Sequence, residues 1–543
     1  MSFLNLVRRE MHGSLPKLLF MSGLGGISTA SILASINAGM QGGGSLWASM
    51  LFVIALFLFV KAQYYVTITT TAEIESIIHK LRLRLMDHLR HSELLDLEGI
   101  GRARIVAAIS SDTAVLTQAS NLLCFTIQGA VLIFFVAIYV AFLSLAAITM
   151  TILIVATAAF IFHTRNKRLA AQKQEAASWE RRLFDRLIDF LDGFKEVRLN
   201  AARSAGLFSD AVDVSRKAAN IKIKSQAETF KLIVSSQVSM YVLLGAVVFV
   251  APQFSTALGG ASLTKTTTAL MFVVGACFGL VQSIPVLLTA NAAADRIEHL
   301  DAALRATAAA HRDREIRIPK RFDKIEMQNI VFRYVDKFSD TTFQIGPLDF
   351  SLNSGELVFI TGGNGSGKST FLRVLAGLYP PDSGEITLDG ARVNDDTRDS
   401  YRALMSAIFF DYHLFQKLYG IPDPPPGELD RLLAEFRLDD KVTVTDGEFS
   451  TLDFSTGQKR RLALIVSMLE KRPILLLDEW TAEQDPDSRR KFYDKILPEL
   501  LQAGETIVVI THDQRYLDEL SLPARRLHME EGRFVEPRSI PHG

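Results

Sequence analysis

The stretch "NLLCFTIQGAVLIFFVAIYVAFLSLAAITMTILIVATAAFIFH", residues 121–163, contains no Asp, Glu, Lys or Arg. A bilayer core takes ~20 helical residues, so this run has about twice the length of one span and reads as two spans joined by a tight turn near Ser144. A large soluble helical core is the competing reading, and the length of the run argues against it. Two more apolar runs precede it, separated by the Gly-rich "NAGMQGGGS", and two follow it. The six expected transmembrane helices are about 18–40, 46–70, 119–142, 145–165, 232–256 and 267–291, all within a membrane domain at 1–300.

Loop charge orients these spans. Lys and Arg number six in 71–118 and fourteen in 164–230, whereas 41–45 and 143–146 have none and 252–266 has only Lys265. Cytoplasmic flanks carry the excess of Lys and Arg, so the two long loops and both termini are expected on the cytoplasmic side. Arg8, Arg9 and Lys17, with Arg165, Lys167 and Arg168, lie closest to span ends and carry that argument. The long loops are rich in helix formers and poor in turn residues. They are expected to be helical extensions with a short connecting helix at each tip.

Other global features exclude more than they assign. A net charge of zero argues against a nucleic-acid protein. The two cysteines, Cys124 and Cys277, sit in apolar runs and read as packing residues, with little support for a disulfide or metal site. No cleavable signal pattern opens the chain.

After about residue 300 the texture changes. Residues 301–322 are polar and read as a linker, and from 323 to 543 apolar strands alternate with helical patterns, as in an α/β domain with a largely parallel sheet. Within it, "GGNGSGKST" at 362–370 follows the strand "LVFIT" and opens the helix "TFLRVLAGL". That context makes it a phosphate-binding loop. Gly362, Gly363, Asn364, Gly365, Ser366 and Gly367 turn backbone N–H groups inward as an anion nest, ahead of Thr370 at the helix start. Lys368 is expected to reach the terminal phosphates of ATP, and Ser369 to ligate Mg²⁺.

"PILLLDEWTAEQDP", 473–486, runs an uncharged strand into two acids. Burying such a pair is costly unless something cationic faces it. Asp478 is expected in the Mg²⁺ shell, and Glu479 is expected to orient or deprotonate the attacking water. The bland alternative is two acids capping the following turn. Nothing physical in the sequence explains Trp480.

"FSTGQKRRLAL" at 454–464 and "THD" at 511–513 complete a set that resembles the ABC transporter ATPases across 323–543. The resemblance implies Walker A at 362–370, the signature at 454–458 with Ser455, Gly457 and Gln458, and Walker B at 474–478. It further implies catalytic Glu479, a D-loop at 482–485 with Asp485, switch residue His512, and Tyr334 stacked on adenine. As an isolated residue, Tyr334 would more often be a simple strand aromatic. In this family the signature of one copy completes the phosphate loop of another, so the resemblance implies a homodimer with two composite sites. Six spans followed by one ATPase domain resemble an exporter half-transporter: a polytopic α-helical membrane domain fused to an α/β P-loop ATPase.

Two departures stand out. Thr456 replaces the signature's third glycine, which is expected to preserve binding with altered turnover. Phe410 occupies the Q-loop glutamine position in "AIFFDYHLF", leaving either a substitute at Asp411 or purely mechanical coupling. These features, with "DEWTAEQDP" and its Gln484, resemble the exporters of cyclic peptides and peptide siderophores, such as syringomycin-like lipopeptides, microcins or pyoverdine precursors. No protease domain precedes the first span, which disfavours leader-cleaving exporters. The implied function is ATP-driven export of a cyclic or modified peptide, a siderophore precursor among the candidates, across a bacterial inner membrane. A lipid flippase, a multidrug exporter and an ATP-gated channel are the alternatives. Asn37, Gln63, Asn121, Gln128, Gln282 and Asn291 face the substrate or join helices, Lys61 meets an anionic substrate or snorkels, and Pro285 is expected to kink the last span.

Overall fold

The computed structural model describes residues 3–10, 15–42, 46–143, 148–149, 152, 172–173, 175–250, 253, 261–308, 319, 321–335, 342–422 and 424–535. They fall into two compact units, one of Met1–Asp87 with Arg102–Ala303, the other of His88–Gly101 with Leu304–Gly543.

The first unit is helical. A short helix, α1 (Phe3–Glu10), leads into α2 (Leu15–Gly42) and α3 (Leu46–Arg90). After α4 (Leu94–Ile100), which belongs to the other unit, come α5 (Arg102–Ala107) and α6 (Thr113–Leu143). Later come α7 (Phe194–Leu199), α8 (Ala201–Gly245) and α9 (Ala261–Ala308). Among the described residues, five helical stretches are long and apolar enough to cross a bilayer: Pro16–Gly39, Leu46–Arg90, Arg102–Phe142, Ala201–Val250 and Thr264–Thr307. The expected span 145–165 and the turn at Ser144 lie outside the described residues, apart from 148–149 and 152.

The long helices run well past the length of a bilayer, as their unpunctuated sequences suggested. Their membrane-spanning stretches are apolar, and Trp47, Phe57 and Phe142 point outward, as side chains surrounded by lipid or other helices can. Several polar residues act as interhelical bonds. Asn37 Nδ2 donates to Tyr139 Oη at 3.2 Å, and Asn291 Oδ1 accepts the Phe3 backbone N–H at 2.7 Å. The side chain of Asn121 lies outside the described residues. Lys61 holds its ammonium 5.7 Å from the Phe57 ring centroid, and α9 runs through Pro285.

Among the described residues the second unit carries two larger sheets and a small two-stranded one, Val444–Thr445 with Glu448–Phe449. β1 (Lys324–Val335) pairs with β2 (Thr342–Asn353) and with β4 (Ser383–Leu388), and β4 pairs with β5 (Ala391–Arg392), all antiparallel. The main sheet has six strands. β3 (Leu357–Gly362), β6 (Met405–Ile408), β7 (Ile474–Asp478), β8 (Thr506–Ile510) and β9 (Arg525–Glu530) run parallel in the order β9-β3-β8-β7-β6. β10 (Arg533–Val535) closes one edge antiparallel to β9. Every residue of β7 and β8 is buried, which is why both read as unbroken apolar runs. Between the strands lie α10 (Lys368–Leu375) and α11 (Thr456–Glu470).

This order brings β3, β8 and β7 side by side. The segments leaving their carboxyl ends, where open α/β sheets place ligands, are the glycine-rich loop, Thr511–His512 and Asp478–Glu479.

Candidate nucleotide site

The glycine-rich loop closes against the end of β9. Gly362 has φ 149°, and a Cβ there would lie 2.2 Å from the Met529 carbonyl oxygen, so no larger residue fits. Lys368 opens α10, folds its side chain back, and donates from Nζ to the carbonyls of Gly362 at 3.0 Å and Gly363 at 2.9 Å. Burial holds its ammonium below the ordinary lysine value, against the opposing pull of Glu479 and Asp478.

Asp478 ends β7 fully buried. Burial pushes its carboxyl upward, a hydrogen bond with Ser369 opposes that, and the charge of Glu479 adds to the upward push. A backbone hydrogen bond from Phe410 lowers it. Asp478 Oδ1 and the hydroxyl of Ser366 are buried with no hydrogen-bond partner. A hard cation takes oxygen donors, so an orphaned oxygen on a carboxylate that is hydrogen-bonded to the Ser369 hydroxyl fits Mg²⁺.

Glu479 turns sharply out of the strand with φ 51°, a left-handed conformation, held by its backbone N–H on the Ile510 carbonyl at 3.0 Å. Its Oε1 lies 3.0 Å from His512 Nε2. The turn swings this carboxylate out of the strand's line while Asp478 stays buried. One cavity of about 740 Å³ takes in residues 364–370, Asp478, Glu479 and Tyr334, whose ring is part-exposed on β1.

The remaining expected residues lie apart from that cavity. Ser455 caps α11 in a reciprocal box, its hydroxyl accepting from Gln458 N at 3.4 Å and its own N–H donating to Gln458 Oε1 at 3.1 Å. A Cβ on Gly457 would lie 2.8 Å from the Glu483 carbonyl, so the signature and the segment after Glu479 are in close contact. Asp485 caps the helix Pro486–Lys491, accepting from Ser488 N at 3.0 Å and Ser488 Oγ at 2.7 Å. Those bonds hold its carboxyl below the ordinary range. The signature therefore does not meet the phosphate loop of its own chain across this cavity.

Several contacts here are not readable from the sequence. Trp480 is buried, tilted against Phe492 with centroids 4.8 Å apart, and its indole N–H donates to the Arg460 carbonyl at 2.8 Å. Arg460, itself buried on α11, donates to the Glu479 carbonyl, pairs with Glu483 at 3.5 Å, and faces the Phe410 ring at 5.3 Å. Gln484 Nε2 donates to the Gly457 carbonyl at 3.0 Å. On the other side, α4 packs Leu94 and Leu95 on the apolar core of this unit, and Glu93 pairs with Arg402 and Arg398. Tyr379 Oη lies 2.9 Å from Glu98 Oε2 and accepts from Arg373 Nη1 at 3.2 Å, and Arg373 Nη2 reaches both Asp411 oxygens at 3.2 Å.

Residues 345–482 match the family model described as ABC transporter. The ATP-binding protein SyrD of Pseudomonas syringae pv. syringae is 32% identical over 479 residues, covering 84% of this chain and 82% of that one. The chain belongs to the ABC transporter family. In this ABC transporter the likeness to SyrD extends well into the membrane unit. By contrast, the energy-coupling factor transporter ATP-binding protein EcfA1 of Streptococcus mutans, also 32% identical, covers 40% of this chain and 79% of its own. A solved bacterial Atm1-family ABC exporter with ATP bound superposes with a TM-score of 0.75 at 20% identity, over 98% of this chain and 95% of that one. The fold is that of an ABC exporter, a multi-pass membrane half-transporter whose ATPase activity is coupled to transport.

Proposed function

We propose that this half-transporter works as a homodimer that exports a cyclic or modified peptide, a siderophore precursor among the candidates, from the cytoplasm across a bacterial inner membrane, with both termini cytoplasmic. The observation that supports the dimer is that residues 455–458 are not among those lining the cavity that holds the phosphate loop, so a second copy would supply the signature to each site. The peptide reading rests on the resemblance at 407–415, 454–458 and 478–486, and on a likeness to SyrD that includes the membrane unit.

In each site residues 362–367 cradle the phosphates with backbone N–H groups, and Thr370 sits at the start of the same helix. Lys368 leaves its two carbonyl partners for the terminal phosphate. Tyr334 stacks on adenine. Ser369 and Asp478 would hold Mg²⁺, which supplies charge neutralisation when bound. Glu479 takes the proton of the attacking water, and His512 orients that carboxylate from 3.0 Å. Ser455, Gly457 and Gln458 of a second copy close over the nucleotide, with Asp485 at the edge of the D-loop. Nucleotide favours the closed pair and hydrolysis releases it, so two states of the membrane helices are stabilised in turn.

Glu479→Gln tests the catalytic assignment. Steady-state hydrolysis should fall by about 10²-fold or more, the usual worth of a general base, with ATP binding retained. Near-normal turnover would sink the role of Glu479. For the substrate, inverted membrane vesicles should take up an N-acylated cyclic peptide only with ATP, and uptake without ATP would indicate a channel instead.

A further inference from the structure

The membrane unit has a half-open cavity of about 710 Å³ lined by α2, α3, α6 and α9 of a single chain. Glycines make room for it. Gly275 and Gly279, one turn apart on α9, line it, and a Cβ on either would meet nothing within 4 Å. Phe59, Phe125, Met271 and Phe272 supply apolar walls, and among the described residues no charged side chain is in the lining.

Its polar atoms are unusual. A serine or threonine in a membrane helix ordinarily donates to a carbonyl one turn back, as Ser28, Thr29 and Ser35 do here at 2.7–2.9 Å. Ser22, 4% exposed and on the cavity wall, has no partner for its hydroxyl. Across the cavity Gln63 Nε2 donates to Gln128 Oε1 at 2.7 Å, which leaves the buried Gln128 Nε2 without an acceptor. An unpaired donor in an apolar interior is costly. Two of them lining one cavity, Ser22 from α2 and Gln128 from α6, mark a place where an acceptor belongs.

We propose that this intraprotomer cavity binds a neutral amphiphile through its carbonyl oxygens, the Ser22 hydroxyl and the Gln128 amide donating and the aromatic and methionine walls taking the apolar part. The occupant is an acylated or otherwise apolar peptide presenting amide carbonyls, and this assignment rests on the peptide-export reading. The donor set decides the class. Among the described residues the lining holds no carboxylate to neutralise an ammonium, so a cationic ligand is disfavoured. The volume lies within the usual ~300–1,000 Å³ of small-ligand pockets. It therefore receives an acyl chain with a few residues, not a whole large peptide. Diacyl lipids share the carbonyl chemistry through their esters, so the test separates the two sources.

The full-length protein, purified in detergent, is titrated with a fluorescent, uncharged N-acylated cyclic peptide, and separately with a fluorescent diacylglycerol. Two variants address the cavity from opposite sides. Gln128→Leu removes the free donor, and Gly279→Leu fills open space without a clash at Cβ. Each should weaken peptide binding about tenfold or more, the worth of one lost polar contact or of an excluded ligand. A lysine-bearing version of the peptide should bind wild type at least about tenfold more weakly. Wild-type affinity for the uncharged peptide in both variants would overturn the site and leave the export reading standing. Diacylglycerol binding with the same variant dependence, and no peptide binding, would overturn the peptide occupant together with the export reading it rests on. Binding of neither probe by wild type would overturn the site.

Discussion

Trp480 donates its indole N–H to the carbonyl of Arg460 at 2.8 Å, and the Arg460 guanidinium donates in turn to the carbonyl of Glu479, the residue before Trp480. The end of β7 and the signature helix are thereby cross-bonded in both directions. Gln484 adds a third bond, to Gly457. The segment 480–484 is a fastening between the strand end that carries Glu479 and the helix start that a second copy would use. Buried donors need partners, and only a side chain as long as Trp, with a donor at its tip, spans this gap while filling the space against Phe492.

Trp480→Phe keeps much of the ring contact and deletes the donor, and should lower the stability of the ATPase unit by about 1 kcal/mol. Trp480→Ala also leaves a cavity and should cost about 3–5 kcal/mol. Thermal melting of the full chain reads both. Equal melting temperatures for wild type and Trp480→Ala would mean that the fastening contributes nothing to stability.

Periodicity and motif context carried the broad architecture. Uncharged runs longer than a bilayer, and buried strands bounded by glycine and acid residues, are local signals, so five of the six expected spans and the context of the glycine-rich loop are legible. The partners of Trp480 were not. Arg460 is 20 residues away in sequence, and a charged residue in "GQKRRLAL" reads as solvated until the fold buries it. The same holds for Glu98 and Tyr379, which are 281 residues apart. Phe410 was legible as a departure, but its contact with the Arg460 guanidinium depends on β6 lying beside β7.

Tyr379→Phe tests a route from α4 to the residue after the missing glutamine. Glu98, Tyr379, Arg373 and Asp411 form a continuous polar chain at 2.9–3.2 Å. Burial pushes the Tyr379 phenol up to about 12, so its hydroxyl keeps its proton at working pH. The variant retains the stack on Phe332, whose centroid lies 5.0 Å away. Substrate-stimulated hydrolysis should drop by about half or more relative to basal hydrolysis, as expected for loss of one link worth ~1 kcal/mol. A full stimulation ratio would show that the chain carries no signal.

Phe410→Gln restores the residue type expected at the Q-loop. Phe410 is 56% exposed and its ring faces the Arg460 guanidinium, so the loss in stability should stay within about 1 kcal/mol. Basal hydrolysis should be retained or faster, with weaker substrate stimulation. Lost ATP binding, measured with a fluorescent nucleotide, would instead assign Phe410 to packing.

Glu505 gives the ATPase unit a pH dependence of its own. Burial pushes its carboxyl up to about 7, against an ordinary value near 4.5. The folded state thus holds the proton more tightly than the unfolded chain. The stability linked to it is fully present below the unfolded value and is lost as pH rises through the folded one. Glu505→Gln mimics the protonated form and removes that loss. At pH 5 its melting temperature should lie close to wild type. At pH 8 it should be higher, by the equivalent of about 1–2 kcal/mol once partial exposure is discounted. A variant that melts with wild type at both pH values would show that Glu505 is solvated enough to ionise freely in the folded chain.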